Sequence, residues 1–272
     1  MAILAEYHRP KTLVGALDLL ADRTARRVPL AGGTHLVGAL ETRQRRDVDG
    51  VVDLAALELS YIRQSDSSLR VGAMTTLTEL VEHPQCADLA AGILPATARF
   101  EGPQNLRNAA TVGGLVALAE PDSELFAALL ALNASVVAVD KDGNESHRML
   151  EDFTISNPRT SQGPMLITGI QLPLVHAKTG HARIARSPMD RCIVAAVAVA
   201  AANGDLSRSG TSSGRNRVET TRTALCGVGS RPQIAGGPVL PTSDYKGSGE
   251  YRLAMAEVVG RRARADATGS RP

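Results

Sequence analysis

Apolar positions at i, i+3, i+4 and i+7 mark the first helix. Leu13, Ala16, Leu17 and Leu20 follow Thr12, whose hydroxyl can cap the helix start. The period then changes. Arg27 to Leu30 reads as a short strand, Thr34 to Thr42 as a helix with Leu36, Val37 and Leu40 inward, and Gly50 to Leu54 as a second, buried strand. Gly32 and Gly33 stand between the first strand and its helix, so the segment is a small βαβ-like unit with a glycine turn at the strand end. Tyr61 to Gly72 reads as a hairpin turning at Asp66-Ser67-Ser68, and helical patterns follow over Thr76–Glu82 and Ile93–Phe100.

The second half continues the mixture of α and β. Asp122 or Ser123 can cap a helix that buries Leu125, Leu129 and Leu132. Ser135–Val139 and Ser146–Met149 flank Asp142-Gly143 as another hairpin, and Met165–Leu172 adds a strand. Pro173, Lys178 and Gly180 suit a boundary near residues 173–180. Beyond it, Cys192–Ala202 and Val218–Val228 read as strands. Tyr251, Ala254, Met255, Val258 and Val259 mark one face of a closing helix.

Composition removes several functions. With 30 basic and 28 acidic residues the net charge is +2, which argues against a nucleic-acid partner. The longest apolar run, Cys192 to Ala202, is 11 residues, too short to span a membrane. The start "MAILAEYHRPK" lacks the basic region and long apolar run of a signal peptide, so a cytoplasmic chain is expected. Cys86, Cys192 and Cys226 are too widely spaced for a CxxC zinc or iron–sulfur motif and read as buried small hydrophobes. The six histidines form no HExxH or paired spacing, so no protein-held metal is expected. There is no GxSxG elbow and no Cys, His and Asp constellation, so no catalytic side chain is assigned. Any redox chemistry therefore needs an organic cofactor.

Two glycine pairs carry the chemistry. Residues without Cβ can turn sharply and expose consecutive backbone N–H groups, which suit a phosphate. "PLAGGTHLVGAL" (Pro29–Leu40) holds the first pair, which is also what a strand-to-helix turn that binds nothing would contain. "NAATVGGLVALAEPDSEL" (Asn108–Leu125) holds the second, Gly113-Gly114. Two such loops suit a shared diphosphate. Neither has the G-x-G-x-x-G spacing after a strand, so a Rossmann site is excluded.

"AGGTHLV" followed by "RNAATVGGLVALAEPDSEL" resembles the FAD-binding medium subunit of the molybdenum hydroxylases, the family of carbon monoxide dehydrogenase flavoproteins and xanthine dehydrogenase FAD domains. The likeness runs through nearly the whole chain. It takes in "YHRPKTLVGALDLLAD", "MLITGIQLP", "ARIARSPMDRCIVAAVAVA" and "SGEYRLAMAEVVGRRA" in the family's order. The resemblance implies an α+β chain with a two-lobed FAD-binding domain over residues 1–175. Its α/β lobe would cover about 1–55 and its antiparallel sheet lobe 56–175, followed by a smaller α+β domain over 176–272. "GGPVLPTSDYKGSG" stands where the family usually has more helices, so that domain is shortened here.

The resemblance also implies residue roles. Ala31, Gly32, Gly33, Thr34, His35 and Leu36 match the first pyrophosphate loop, with Thr34 adding a hydroxyl; His35 can equally be an ordinary helix-start residue. Thr111, Gly113 and Gly114 match the second loop, whose hydroxyl and N–H groups would complete the cradle. Glu124 takes the place of an Asp that bonds a ribose hydroxyl, or it stabilises a helix start. Leu166 matches an aliphatic that packs on the flavin; without the family it reads as a core strand residue. Arg183, seven residues before Asp190, stands where the family tends to carry Lys near the isoalloxazine, though a surface Arg would look the same. Leu115 and Leu118 replace more polar residues, and His181 replaces an aromatic that can shield the ring.

The function so implied is an FAD-binding electron-transfer subunit of a heteromeric molybdopterin-dependent hydroxylase or dehydrogenase. Its expected partners are a large molybdopterin-binding subunit and a small iron–sulfur subunit, arranged as a dimer of heterotrimers. Molybdopterin and the iron–sulfur clusters would lie in those partners, because this chain lacks the cysteines for clusters. Two alternatives remain at this stage: a self-sufficient flavin oxidase or reductase of related fold, and a scaffold that has lost FAD.

Overall fold

A computed structural model describes residues 4–155, 165–202 and 219–270. The first part of the chain runs β1 (Glu6–His8), α1 (Leu13–Ala21), β2 (Arg27–Leu30), α2 (Leu36–Glu41) and β3 (Gly50–Asp53). Its three strands form a parallel sheet in the order β1-β3-β2, with Leu30 beside Asp53. Parallel neighbours need crossover connections, and the two helices supply them. Thr12 caps α1 by accepting from the Gly15 N–H at 3.2 Å, and the predicted inward residues Ala16 and Leu17 are fully buried. Helix α2 starts later than the pattern predicts. His35 makes no side-chain capping bond, so Thr34 and His35 stay in the turn.

The next part runs β4 (Ile62–Gln64), β5 (Ser68–Gly72), α3 (Leu77–Glu82), α4 (Pro84–Asp88), α5 (Ile93–Ala98), α6 (Gln104–Arg107), α7 (Val112–Leu118), α8 (Glu124–Ala131), β6 (Ser135–Asp140), β7 (Glu145–Met149), α9 (Leu150–Ile155) and β8 (Met165–Pro173). The strands form an antiparallel sheet, β4-β5-β8-β6-β7, in which β8 joins the two expected hairpins. Thr76 and Glu79 form a reciprocal capping box on α3. Ser123 is the cap of α8, accepting from the Phe126 N–H at 3.1 Å. Every residue of α8 is buried, so the helix lies inside the molecule rather than on it.

The last part holds β9 (Ala177–Ile184), β10 (Val194–Ala202), β11 (Glu219–Cys226), β12 (Gln233–Ile234) and α10 (Gly249–Thr268). Its antiparallel sheet has the order β12-β11-β10-β9. Between β12 and α10 the described chain makes a bridge of Asp244 with Gly247 and no helix. Helix α10 covers one face of this sheet and α8 packs on the other. Leu125, Phe126 and Leu129 of α8 share one apolar core with Ile170 of β8, Val197 and Val199 of β10 and Ala224 of β11. Truncating Phe126 there would cost about 3–5 kcal/mol.

The buried stripe of α10 differs from the predicted one. It runs Arg252, Ala256, Val259, Gly260, Ala263 and Ala267, while Tyr251 is exposed. Two physical reasons account for the shift. A Cβ on Gly180 of β9 would stand 1.9 Å from the Ala263 carbonyl oxygen, so helix and sheet meet backbone to backbone and only small residues fit. Arg252 is buried because its guanidinium donates to the carbonyls of Ile193 and Gly227 and to Asp244. An apolar-periodicity reading passes over a charged residue in that role.

Candidate cofactor site

Parallel strands β2 and β3 end side by side, and the first glycine loop leaves the end of β2. Gly33 has φ +73°, a left-handed conformation that glycine reaches without strain. Gly32 is glycine for another reason. A Cβ there would stand 1.7 Å from the carbonyl oxygen of Ala109, so the two glycine-bearing loops touch through their backbones at this point. The contact explains why no side chain is tolerated before any ligand is considered.

The backbone donors divide sharply between the loops. From Ala31 through Leu36, no N–H has an acceptor among the described residues, whereas the next, Val37, donates to the Gly33 carbonyl at 3.0 Å. Consecutive unpartnered N–H groups around a left-handed residue form a concave donor array of the kind that holds phosphate oxygens. Thr34 and His35 are exposed at its rim. A diphosphate fits this array. It has donors to give, no carboxylate among residues 31–36 to repel an anion, and room guaranteed by the absent Cβ atoms.

The second loop has no such surplus. Gly113 N–H donates to the Ala73 carbonyl at 2.8 Å and Gly114 N–H to the Thr111 hydroxyl at 3.1 Å. Val112 N–H is bonded to the Thr75 carbonyl at 2.9 Å. Thr111 is therefore the buried cap of α7, and the Gly113 and Gly114 N–H groups expected to complete the cradle are engaged within the chain, whereas the Thr111 N–H and hydroxyl hydrogen have no acceptor among the described residues. A Cβ on Gly113 would lie 2.7 Å from that of Ala73, so packing explains this glycine. The loop's contribution is its Ala109 carbonyl against Gly32, which positions the first loop.

Leu166 on β8 is buried in the cluster of Leu17, Val52, Leu54 and Val139, with Ala31 at its edge. It backs the first loop from the core side. Glu124, Arg183 and His181 form a second group. Glu124 is 1% exposed in its side chain; Oε1 accepts from Arg183 Nε at 2.9 Å and Oε2 faces His181 Nε2 at 2.6 Å. Both oxygens are held within the chain, which leaves the ribose contact implied by the resemblance without a free, exposed oxygen. Arg183 is likewise not a free cation. Its guanidinium also donates to the carbonyls of Pro188 and Asp190 and lies 4.1 Å from the centroid of the Phe100 ring. His181 packs on the same ring at 5.7 Å. Phe100 was missed in the sequence, because nothing local marks it as a partner of residues so far along the chain.

An α/β unit with an anion-receptive glycine loop, joined to antiparallel sheets and lacking a Rossmann fingerprint, defines a nucleotide-cofactor-binding protein of the non-Rossmann type. Comparison with known proteins makes this specific. The family described as the FAD binding domain in molybdopterin dehydrogenase matches residues 3–175, and the chain belongs to that family. It is similar to the glyceraldehyde dehydrogenase medium chain of Sulfolobus acidocaldarius, 25% identical over 93% of this chain and 94% of the relative. It is 29% identical to the carbon monoxide dehydrogenase medium chain of Afipia carboxidovorans, over 95% of this chain and 94% of that one. The structure of reconstituted CO dehydrogenase from Oligotropha carboxidovorans superposes with a TM-score of 0.84 at 25% identity, covering 99% of both chains. Among the described residues, no helix is long and apolar enough to cross a membrane.

Proposed function

We propose that this chain is the electron-transfer subunit of a heteromeric molybdopterin-dependent hydroxylase or dehydrogenase. It would accept electrons from a small iron–sulfur subunit and pass them to an external acceptor, while a large molybdopterin-binding subunit oxidises the substrate. The complex is a cytoplasmic dimer of heterotrimers. Residues 1–175 make the FAD-binding domain, with lobes of about 1–55 and 56–175, and 176–272 a smaller α+β domain. The observation that carries the reading is the run of unpartnered N–H groups from Ala31 to Leu36. The names of the relatives as medium chains of dehydrogenases support the subunit role.

In this reading the Ala31–Leu36 amides hold the FAD pyrophosphate, with the Thr34 hydroxyl and His35 at the rim. Gly32 and Ala109 keep the loop in place, and Leu166 packs behind it. Glu124, Arg183 and His181 fasten the C-terminal sheet beside the cofactor domain. Bound FAD supplies the exchange between two-electron and one-electron transfer, so the chain needs no catalytic acid or base of its own. Three cysteines are too few to ligate a cluster with four thiolates, which supports the reading that the clusters lie in a partner subunit.

The test is the absorbance spectrum and turnover of the purified chain, alone and with both partner subunits. Flavin bands with no dehydrogenase turnover until the partners are added support the proposal. Flavin-dependent turnover by the chain alone, or a chain that takes up no flavin, overturns it.

A further inference from the structure

Four carboxylates and four basic groups meet where the helices around α8 face the C-terminal sheet. Glu101, Glu120, Asp122 and Glu124 come from one side; His181, Arg183, Arg191 and Lys246 come from the other. Arg191 reaches Glu101 Oε2 at 2.7 Å, Asp122 Oδ1 at 3.4 Å and the Glu120 carboxylate. Lys246 Nζ lies 3.0 Å from Asp122 Oδ2, and Arg183 and His181 hold Glu124. Glu101 Oε1 also accepts from the Ser123 hydroxyl and the Leu125 N–H, each at 2.8 Å.

The charges do not balance. Arg183, Arg191 and Lys246 carry three fixed positive charges against four carboxylates; His181 adds a fourth only when protonated. The adjoining Arg252–Asp244 pair is neutral in itself. Cys192 and Cys226, with sulfurs 3.6 Å apart, bring no cation, and the Cys226 thiol is held well above its ordinary pKa by Cys192, by burial and by Glu124 and Glu101. Two of the four carboxylates lie deep in the junction, where the Glu101 and Glu124 side chains are 5% and 1% exposed, against 37% for Glu120 and 21% for Asp122. An uncompensated charge at that depth is costly, and one proton removes it.

We propose that this junction is a proton-binding site, in which one proton from solvent, taken up by the Glu101 carboxyl, keeps the C-terminal sheet closed on the N-terminal helices. The proton adds to a Glu101 carboxylate oxygen and turns a buried anion into a neutral acid. Burial pushes the Glu101 carboxyl up to about 7, against the lowering effect of Arg191, the Leu125 N–H and the Ser123 hydroxyl, with Glu124 adding to the rise. The folded chain thus binds the proton more tightly than the unfolded chain. The added stability is fully present below about pH 4.5 and is lost as pH rises through about 7. One extra bound proton makes the folding equilibrium constant fall about tenfold per pH unit within that window.

The inference is independent of FAD and is tested on the full chain by urea unfolding between pH 5 and 8. Glu101→Gln brings the count to three against three and should remove most of the wild-type fall in stability. Glu120→Gln, at a side chain 37% exposed, also balances the count and should shift the fall to lower pH, which keeps the test open should Glu101→Gln fail to fold. Variants that unfold with the wild-type pH dependence overturn the proposal.

Discussion

Alanine substitution of three glycines in one loop and helix separates packing, backbone strain and helix propensity. A Cβ on Gly32 would stand 1.7 Å from the Ala109 oxygen and 2.6 Å from its carbonyl carbon. A carbon and an oxygen normally approach no closer than about 3.3 Å, so the two loops must part by about 1.5 Å. Both atoms are backbone, so neither can swing away, and the cost is that of overpacking at its upper end, about 3 kcal/mol. In a chain of this size that lowers the melting temperature by on the order of 6–12 °C. Gly33→Ala places a side chain at φ +73°, with the Val37 Cγ2 atom 3.1 Å away, and should cost about 1–2 kcal/mol. Gly38, inside α2, has nothing within 4 Å of its added Cβ, so alanine there should stabilise by about 1 kcal/mol. Thermal unfolding of the three variants, with flavin content measured alongside, gives the order directly. Gly32→Ala should melt lowest and lose flavin. If it melts with the wild type and retains flavin, the contact between the loops is not what requires a glycine.

The same logic extends to other sites. Gly113→Ala should destabilise markedly, because its Cβ meets Ala73 at 2.7 Å, whereas Gly114→Ala, facing only the Thr111 hydroxyl at 3.1 Å, should unfold close to wild type; equal melting temperatures would contradict this. Glu124→Ala leaves Arg183 and His181 without their carboxylate and should cost about 3–5 kcal/mol in urea unfolding, and a loss below 1 kcal/mol would show that the junction does not depend on this pair.

What could be read from the sequence was local. Thr12, Thr76 and Ser123 start helices through bonds to residues three positions on, and the hairpin turns hold Asp66-Ser67 and Asp142-Gly143 between strands that pair with each other, although Ser68, expected in the first turn, already belongs to β5. What could not be read depended on distant partners. The need for glycine at position 32 comes from Ala109, and at position 113 from Ala73. The pairing of Glu124 with His181 and Arg183 joins a helix start to a strand that follows the entire second sheet. The α10 face was misread because a buried arginine looks polar until the carbonyls of Ile193 and Gly227 are found around it. Leu166 shows the converse, a residue singled out for a ligand that lies in the core behind the loop.

The central claim is that the free amides of the first loop hold the cofactor's diphosphate. Titrating FAD into the uniformly ¹⁵N-labelled, perdeuterated chain and following backbone amide resonances tests it at the atoms concerned. The account predicts the largest shifts at Ala31 to Leu36, with Gly113 and Gly114 moving little because their N–H groups stay bonded to Ala73 and Thr111. Bound flavin with unmoved Ala31–Leu36 amides and large shifts at Gly113 and Gly114 would contradict it.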